Sequence, residues 1–283
     1  MTLKTQGERF MMFYGLKSAE PRGVTNILET GLTGNAVKTI GIILMVFDHL
    51  HQMFWVQGVP VWFYWLGRPV LPMFLFMCAE GFYHTRSRKA YLLRLFTCFV
   101  CMNAANTALT FALFNDDVML INNVFGTMLL TGLYILFVRM LREGIEEKRA
   151  GRIIASALLI LLPVLYSLIF AIALNSLPWQ AIIALSFIPN LITTEGGIPA
   201  VILGVLFYLC RGKRLMQTLT LSAGGILSFI TDSESCRVQW LMIFALIPVL
   251  LYNGRRGKGN KYFFYVFYPA HIYLFYIIAW AIQ

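Results

Sequence analysis

The chain has 283 residues, 59% of them hydrophobic and only 13% charged. A soluble domain of that length needs a larger charged surface, so a water-soluble fold is excluded. The formal charge of +10 does not point to nucleic acid, because the basic residues sit in short clusters between apolar runs, which is the pattern of a topology signal.

The first 36 residues are mixed and charged, and the first apolar run begins at Val37. No secretory leader is expected, and the first span itself supplies targeting. The stretch ERFMMFYGLK in this region suits either an interfacial helix or a loosely ordered tail. Apolar spans then follow at 37–57, 61–83, 92–114, 119–140, 153–174, 180–210, 215–231, 237–252 and 262–282. A crossing helix needs about 20 such residues. The expectation is therefore an N-terminal cytoplasmic or interfacial segment over 1–36 and one membrane domain over 37–283. The fold class is an all-α integral membrane protein, a single bundle of about nine to ten transmembrane helices with one broken or re-entrant segment.

Loop charge orients the bundle. Arg86, Arg88 and Lys89, the group from Arg139 to Arg152, RGKR at 211–214, and Arg255, Arg256, Lys258 and Lys261 fall in alternate loops. The intervening loops carry Asp116, Asp117, Asp232 and Glu234, with Arg237 their one base. Positive charge marks the cytoplasmic side, so the N-terminus is expected there. The region 180–210 must then cross once, although PNLITTEGGIP at 189–199 forbids a continuous helix. Two half-helices, a re-entrant segment plus a crossing, or a long outer loop between short helices all remain open. The count places the C-terminus outside. The five cysteines make no disulfide framework, and Cys98 and Cys101 are read as packing residues.

Charged groups in hydrocarbon are costly and mark candidate function. At about 1.5 Å per residue, Asp48 and His49 lie roughly 16–18 Å from the inner face, Arg68 roughly 10 Å below the outer face and His271 roughly 14 Å above the inner one. Those levels coincide in a core about 30 Å thick. Arg68 keeps its charge, and Asp48 is its expected partner. His49 suits proton transfer near neutral pH. His51 and Gln52 share the helix face of Asp48. Glu80 belongs at the cytoplasmic mouth, with His84 one turn on. Stripes of Asn103, Asn106, Thr107 and Thr110, and of Asn123, Thr127 and Thr131, suit either a hydrated interior or plain interhelical glue. Pro69 and Pro72 should kink the second span beside Arg68. A basic inner rim that includes Arg86, Arg88, Lys89, Arg211 and Arg256 would attract a phosphorylated ligand.

The stretches LTGNAVKTIGIILMVFDHLHQMF, LGRPVLPMFLFMCAEGFYHTRSRKAYLLRLF and KYFFYVFYPAHIYLFYI resemble the TraX family. That family is similar in layout to the wider superfamily of multi-pass acyltransferases. The resemblance places an aspartate–histidine pair on Asp48 and His49, and a Gly-Arg-x3-Pro-x-Phe motif on Gly67, Arg68, Pro72 and Phe74. It places a Glu-Gly-Phe and basic segment on Glu80, Gly81, Phe82, Thr85, Arg86, Arg88, Lys89, Tyr91 and Arg94, and a Tyr-Pro-x-His motif on Tyr268, Pro269 and His271. What it implies is acetyl transfer from acetyl-CoA, with no metal, in a bacterial-type plasma membrane. His49, Asp48, Arg68 and His271 would be catalytic, and Glu80, Arg86, Arg88, Lys89 and Arg94 would bind the donor. The expected acceptor is a peptide N-terminus, a glycan or a lipid, and the expected site is one hydrated chamber open to the cytosol. The alternatives are a secondary transporter and a non-catalytic membrane assembly protein.

Overall fold

The computed structural model describes residues 31–231, 238–259 and 262–283. The interfacial helix expected near the N-terminus, and Asp232, Glu234, Cys236, Arg237 and Lys261, lie outside the described residues. Among the described residues every extended element is a helix, apart from an isolated parallel bridge between Leu32 and Tyr252. The chain is an all-α membrane protein.

Helix α1 (Gly34–Phe54) starts where the Thr33 hydroxyl accepts from the Ala36 N–H, which satisfies one of its free donors. The second span is two pieces, α2 (Trp62–Gly67) and α3 (Val70–His84). Pro69 breaks the backbone ladder between them, because it has no N–H to donate. Ser87 caps α4 (Arg88–Ala112) through the Ala90 N–H. Helix α5 (Val124–Glu146) begins about five residues later than the expected span, because Asn115 takes the chain into a loop: its Oδ1 accepts from the N–H groups of Asp117 and Val118 at 2.9 Å each. A turn with Lys148 at φ 54° leads into α6 (Ala150–Ser176).

The 180–210 region proves to be two half-helices, α7 (Trp179–Ser186) and α8 (Gly197–Leu209), joined through residues 187–196. Gly196 (φ 71°) and Gly197 (φ 55°) turn the chain into α8 with left-handed backbone, which favours glycine. Helix α9 (Arg214–Thr231) follows, then a 3₁₀ stretch (Gln239–Ala245) that runs into α10 (Leu246–Leu251), and finally α11 (Phe263–Ala281). Four of these helices, α4, α5, α6 and α11, are long and apolar enough to cross a membrane singly.

One end of the bundle is basic. There the Leu32 N–H donates to Leu251, Asn253 N–H donates back to Leu32, and the Gly34 and Asn35 N–H groups donate to Arg255 and Arg256. Arg211 reaches α3 at the same end. The far end holds the loop with Asp116 and Asp117, where Tyr276 of α11 donates to Leu113. Helix α11 therefore finishes at the end opposite the basic loops, as the span count requires. Helix α6 presents Leu158, Leu162, Ile169 and Ile172 outward, an exposure suited to lipid.

Two large apolar clusters fill the interior, beside a small third one of Leu130, Leu191 and Val201. One joins α1, α3, α4, α5 and α11 around Phe74, Phe99, Phe125 and Ile272. The other joins α1, α3, α8 and α10 around Phe76, Phe207 and Val249. Small residues let helices approach: a Cβ on Gly204 would sit 2.5 Å from the Thr131 methyl. Such close contact is the main attraction between helices that lipid already surrounds.

Candidate active site in the bundle interior

Arg68 occupies the break between α2 and α3. Its Nη2 meets Asp48 Oδ1 at 2.9 Å, its Nη1 donates to Gln239 Oε1 at 3.1 Å, and its Nε donates to the Tyr64 carbonyl at 3.2 Å. The guanidinium also lies 3.8 Å from the centroid of the Tyr64 ring. Five donors in a fixed fork need this many partners at such depth. The approach depends on Gly67, because a Cβ there would sit 2.2 Å from Asp48 Cγ.

One residue along α1, His49 points elsewhere. Its Nδ1 lies 2.7 Å from His271 Nε2, and the other nitrogen of His271 lies 2.8 Å from the Phe267 carbonyl. A carbonyl only accepts, so His271 Nδ1 carries the proton and its Nε2 accepts. His49 therefore donates from Nδ1 and keeps its lone pair on Nε2 when both rings are neutral. That nitrogen faces Asn122 Nδ2 at 3.4 Å, a long contact that an acceptor N–H or O–H can replace. Gln52 holds Asn122 through two amide bonds of 3.0 Å. Gln52 thus serves the histidine rather than Asp48, and His51 turns away to the Val59 carbonyl. Both His49 and His271 are buried, at 4% and 6% exposure.

A third pair joins them. Tyr268, one turn before His271, donates to Glu195 Oε1 at 2.6 Å and accepts from the Val124 N–H at 3.0 Å. Its ring centroid is 6.2 Å from that of His49. Glu195 comes from the broken segment, 73 residues away in sequence, so local spacing could not reveal the pairing. Its residue type was visible, as an acid in an otherwise apolar region.

Nearer the basic end lies a cleft of about 410 Å³. Lys38, Arg94 and Arg256 line it with Glu80, His84 and the tyrosines Tyr91, Tyr252, Tyr262 and Tyr265. Glu80 is held by Arg211 at 3.4 Å and His84 at 3.7 Å, and Arg211 packs over Tyr83. Lys38 makes no ion pair among the described residues. Of the residues expected to bind a donor, Glu80 and Arg94 line the cleft. Arg86, Arg88 and Lys89 do not line it; they sit on the turn before α4 and on its first residues. Lys38 was missed in the sequence because it stands at the very start of the first apolar run, where a basic residue is ordinary.

The expected single chamber is divided. Inward from Lys38, Met77 and Tyr265 comes an aromatic layer: Phe74 stacks on Phe264 with centroids 4.5 Å apart, and Phe125 stacks on Tyr265. Gly41 makes room for it, since a Cβ there would sit 3.1 Å from the Phe74 ring. The histidines, Arg68 and Glu195 lie beyond this layer. Phe74 and Phe125 are buried in it, and Phe264 and Tyr265 pack against them half-buried.

This architecture is that of a polytopic helical membrane protein with a polar, histidine-bearing site enclosed at depth. A family model described as "TraX protein" matches residues 33–279, and the chain belongs to that family. It is 28% identical over 256 residues, 84% of this chain and 92% of the other, to a protein named "Probable fimbrial assembly protein FimC, serogroup H1" from Dichelobacter nodosus. No solved structure matches. Among the described residues no group of three or more His, Cys, Asp or Glu is placed to hold a metal.

Proposed function

We propose that the protein is a membrane acetyltransferase that takes its acetyl group from cytosolic acetyl-CoA and passes it to an amine or hydroxyl of an envelope peptide, glycan or lipid. In this reading the basic end faces the cytosol of a bacterial-type inner membrane. The observation that carries the proposal is the ordered His49–His271 pair, which leaves a lone pair on His49 Nε2 near a charged Arg68. A buried imidazole of fixed tautomer is an apt general base. A guanidinium fixed by a carboxylate, a glutamine and a ring can stabilise the oxyanion of acyl transfer.

The cleft fits the donor by its chemistry. Lys38, Arg94 and Arg256 offer three cations against the one acid Glu80, which suits phosphate groups. The tyrosines offer flat faces for an adenine. The donor supplies an activated acetyl group, and this chain's residues seat its phosphates, align its arm and manage the protons. The Phe74–Phe264 layer must part for the two halves of the site to communicate.

The name of the Dichelobacter relative favours a second reading, a non-catalytic assembly factor. Purified protein incubated with labelled acetyl-CoA and an envelope extract separates the two. The acetyltransferase labels an extract component, and His49→Gln lowers the rate by about 100-fold or more. Labelling that His49→Gln leaves unchanged, or no labelling at all, would favour the assembly factor. A transporter, which the broken segment also suits, would instead move solute into vesicles without labelling anything.

A further inference from the structure

We propose that Glu195 is a second proton acceptor in this site, and that it takes the first proton from an acceptor arriving as an ammonium ion. The inference rests on the acetyltransferase reading.

The broken segment fixes where the carboxyl lies. Thr127 Oγ1 donates to the Glu195 carbonyl at 2.9 Å, and the left-handed Gly196 and Gly197 follow at once. Irregular backbone at membrane depth persists only where such partners cover it. The Tyr268 hydroxyl accepts from the Val124 N–H, so its own proton is directed at Glu195.

The charges around it do not balance. Asp48 is committed to Arg68, and the His49–His271 hydrogen bonds are satisfied when both rings are neutral. Glu195 makes no ion pair among the described residues. The groups that face it are Tyr268 of α11, Asp48 of α1, Arg68 at the α2–α3 break and the backbone of Asn123. Helix α5 contributes Thr127, which does not titrate, and His49 stands beyond Tyr268. Among the described residues the Arg68 fork bonds Asp48 and not Glu195, so the second carboxyl has no cation of its own. Asn123, whose backbone bonds Glu195, and Thr194, the residue before Glu195, carry buried oxygens, Oδ1 and Oγ1, that have no partner among the described residues. Unmet buried oxygens are costly. A carboxylate and two free oxygens are together suited to a cation with three N–H donors.

The proton balance is simple. One N–H bond of the ammonium breaks and an O–H bond forms on Glu195, which leaves a neutral amine. The amine nitrogen bonds to the thioester carbon while His49 Nε2 takes a second proton. The C–S bond breaks, and the thiolate receives that proton back from His49. Glu195 releases its own proton to water, so each amide formed liberates one proton. A hydroxyl acceptor carries no such extra proton and makes no demand on Glu195.

The test uses the full chain in nanodiscs with acetyl-CoA and two probes, a tripeptide with a free N-terminus and octyl glucoside. An α-amino group has a pKa of about 7.7–8.0. With the peptide at about pH 6.5, Glu195→Gln should lose roughly 100-fold in rate. The loss should shrink to a few-fold near about pH 9.5, where the amine is already neutral. Transfer to octyl glucoside by the same variant should change by one factor at both pH values, since a hydroxyl brings no proton that titrates in this range. Glu195→Asp, which keeps a carboxyl, should fold and show a smaller loss with the same pH shape. An equal loss with the peptide at every pH, no loss at either pH, or an unmutated protein that acetylates the glucoside and not the peptide would overturn the role of Glu195 while leaving the acetyltransferase reading intact. Wild-type transfer to neither probe would count against that reading itself.

Discussion

Asp48, Arg68 and Gly67 form the tightest residue-level dependence in the site. The arginine can reach its carboxylate only because residue 67 has no side chain. Gly67→Ala should therefore push α1 from the α2–α3 break and cost about 1–3 kcal/mol, seen as a lower midpoint in thermal unfolding in detergent. Lys38 makes a different kind of prediction. It stands in the cleft without an ion partner among the described residues, beside a second cation, Arg256. Lys38→Met should raise the KM for acetyl-CoA roughly tenfold, equivalent to about 1.4 kcal/mol, with little change in kcat. An unchanged KM would remove Lys38 from the donor site.

At the scale of elements, the hinge into α8 is the most constrained. Gly196 has φ 71°, and a Cβ there would lie 2.5 Å from a methyl of Leu71 and 2.7 Å from Ala200. Gly196→Ala combines left-handed strain with overlap, together about 1–3 kcal/mol, and should also displace Glu195 next door. Lower stability and slower transfer should appear together in this variant. Most elements were legible in the sequence, because long apolar runs and basic loops alternate and proline or glycine marks several of the breaks. PNLITTEGGIP announced a break in the helix by composition alone, but not which of three arrangements the break takes. The start of α5 was not legible, since Met119, Leu120 and Ile121 extend the apolar run outward through a loop that Asn115 shapes by hydrogen bonding. Within the site, the level shared by Asp48, His49, Arg68 and His271 followed from rise per residue. The link of Glu195 to Tyr268, and that of Asn122 to His49, depend on how distant segments pack, which no local pattern records.

For the whole molecule, orientation is the first thing to establish. Lys258 lies in the loop tied to the start of α1, and Asp116 lies at the far end. Cysteines placed singly at these positions should be labelled by a membrane-impermeant maleimide from opposite faces, with residue 258 accessible only after the cell membrane is opened. The reverse result would put the donor cleft on the wrong side for cytosolic acetyl-CoA. The stacked rings of Phe74 and Phe264 carry a consequence for the cell as well. Histidines, a tyrosine, two carboxyl groups and an arginine strung along one interior are the ingredients of a proton wire, and a bilayer under voltage punishes any such path. Two rings face to face interrupt it, as an insulator interrupts a conductor. Phe74→Ala should make proteoliposomes holding a pH gradient discharge faster than wild type; under the proposed function, the packing that would slow a thioester would also hold protons back.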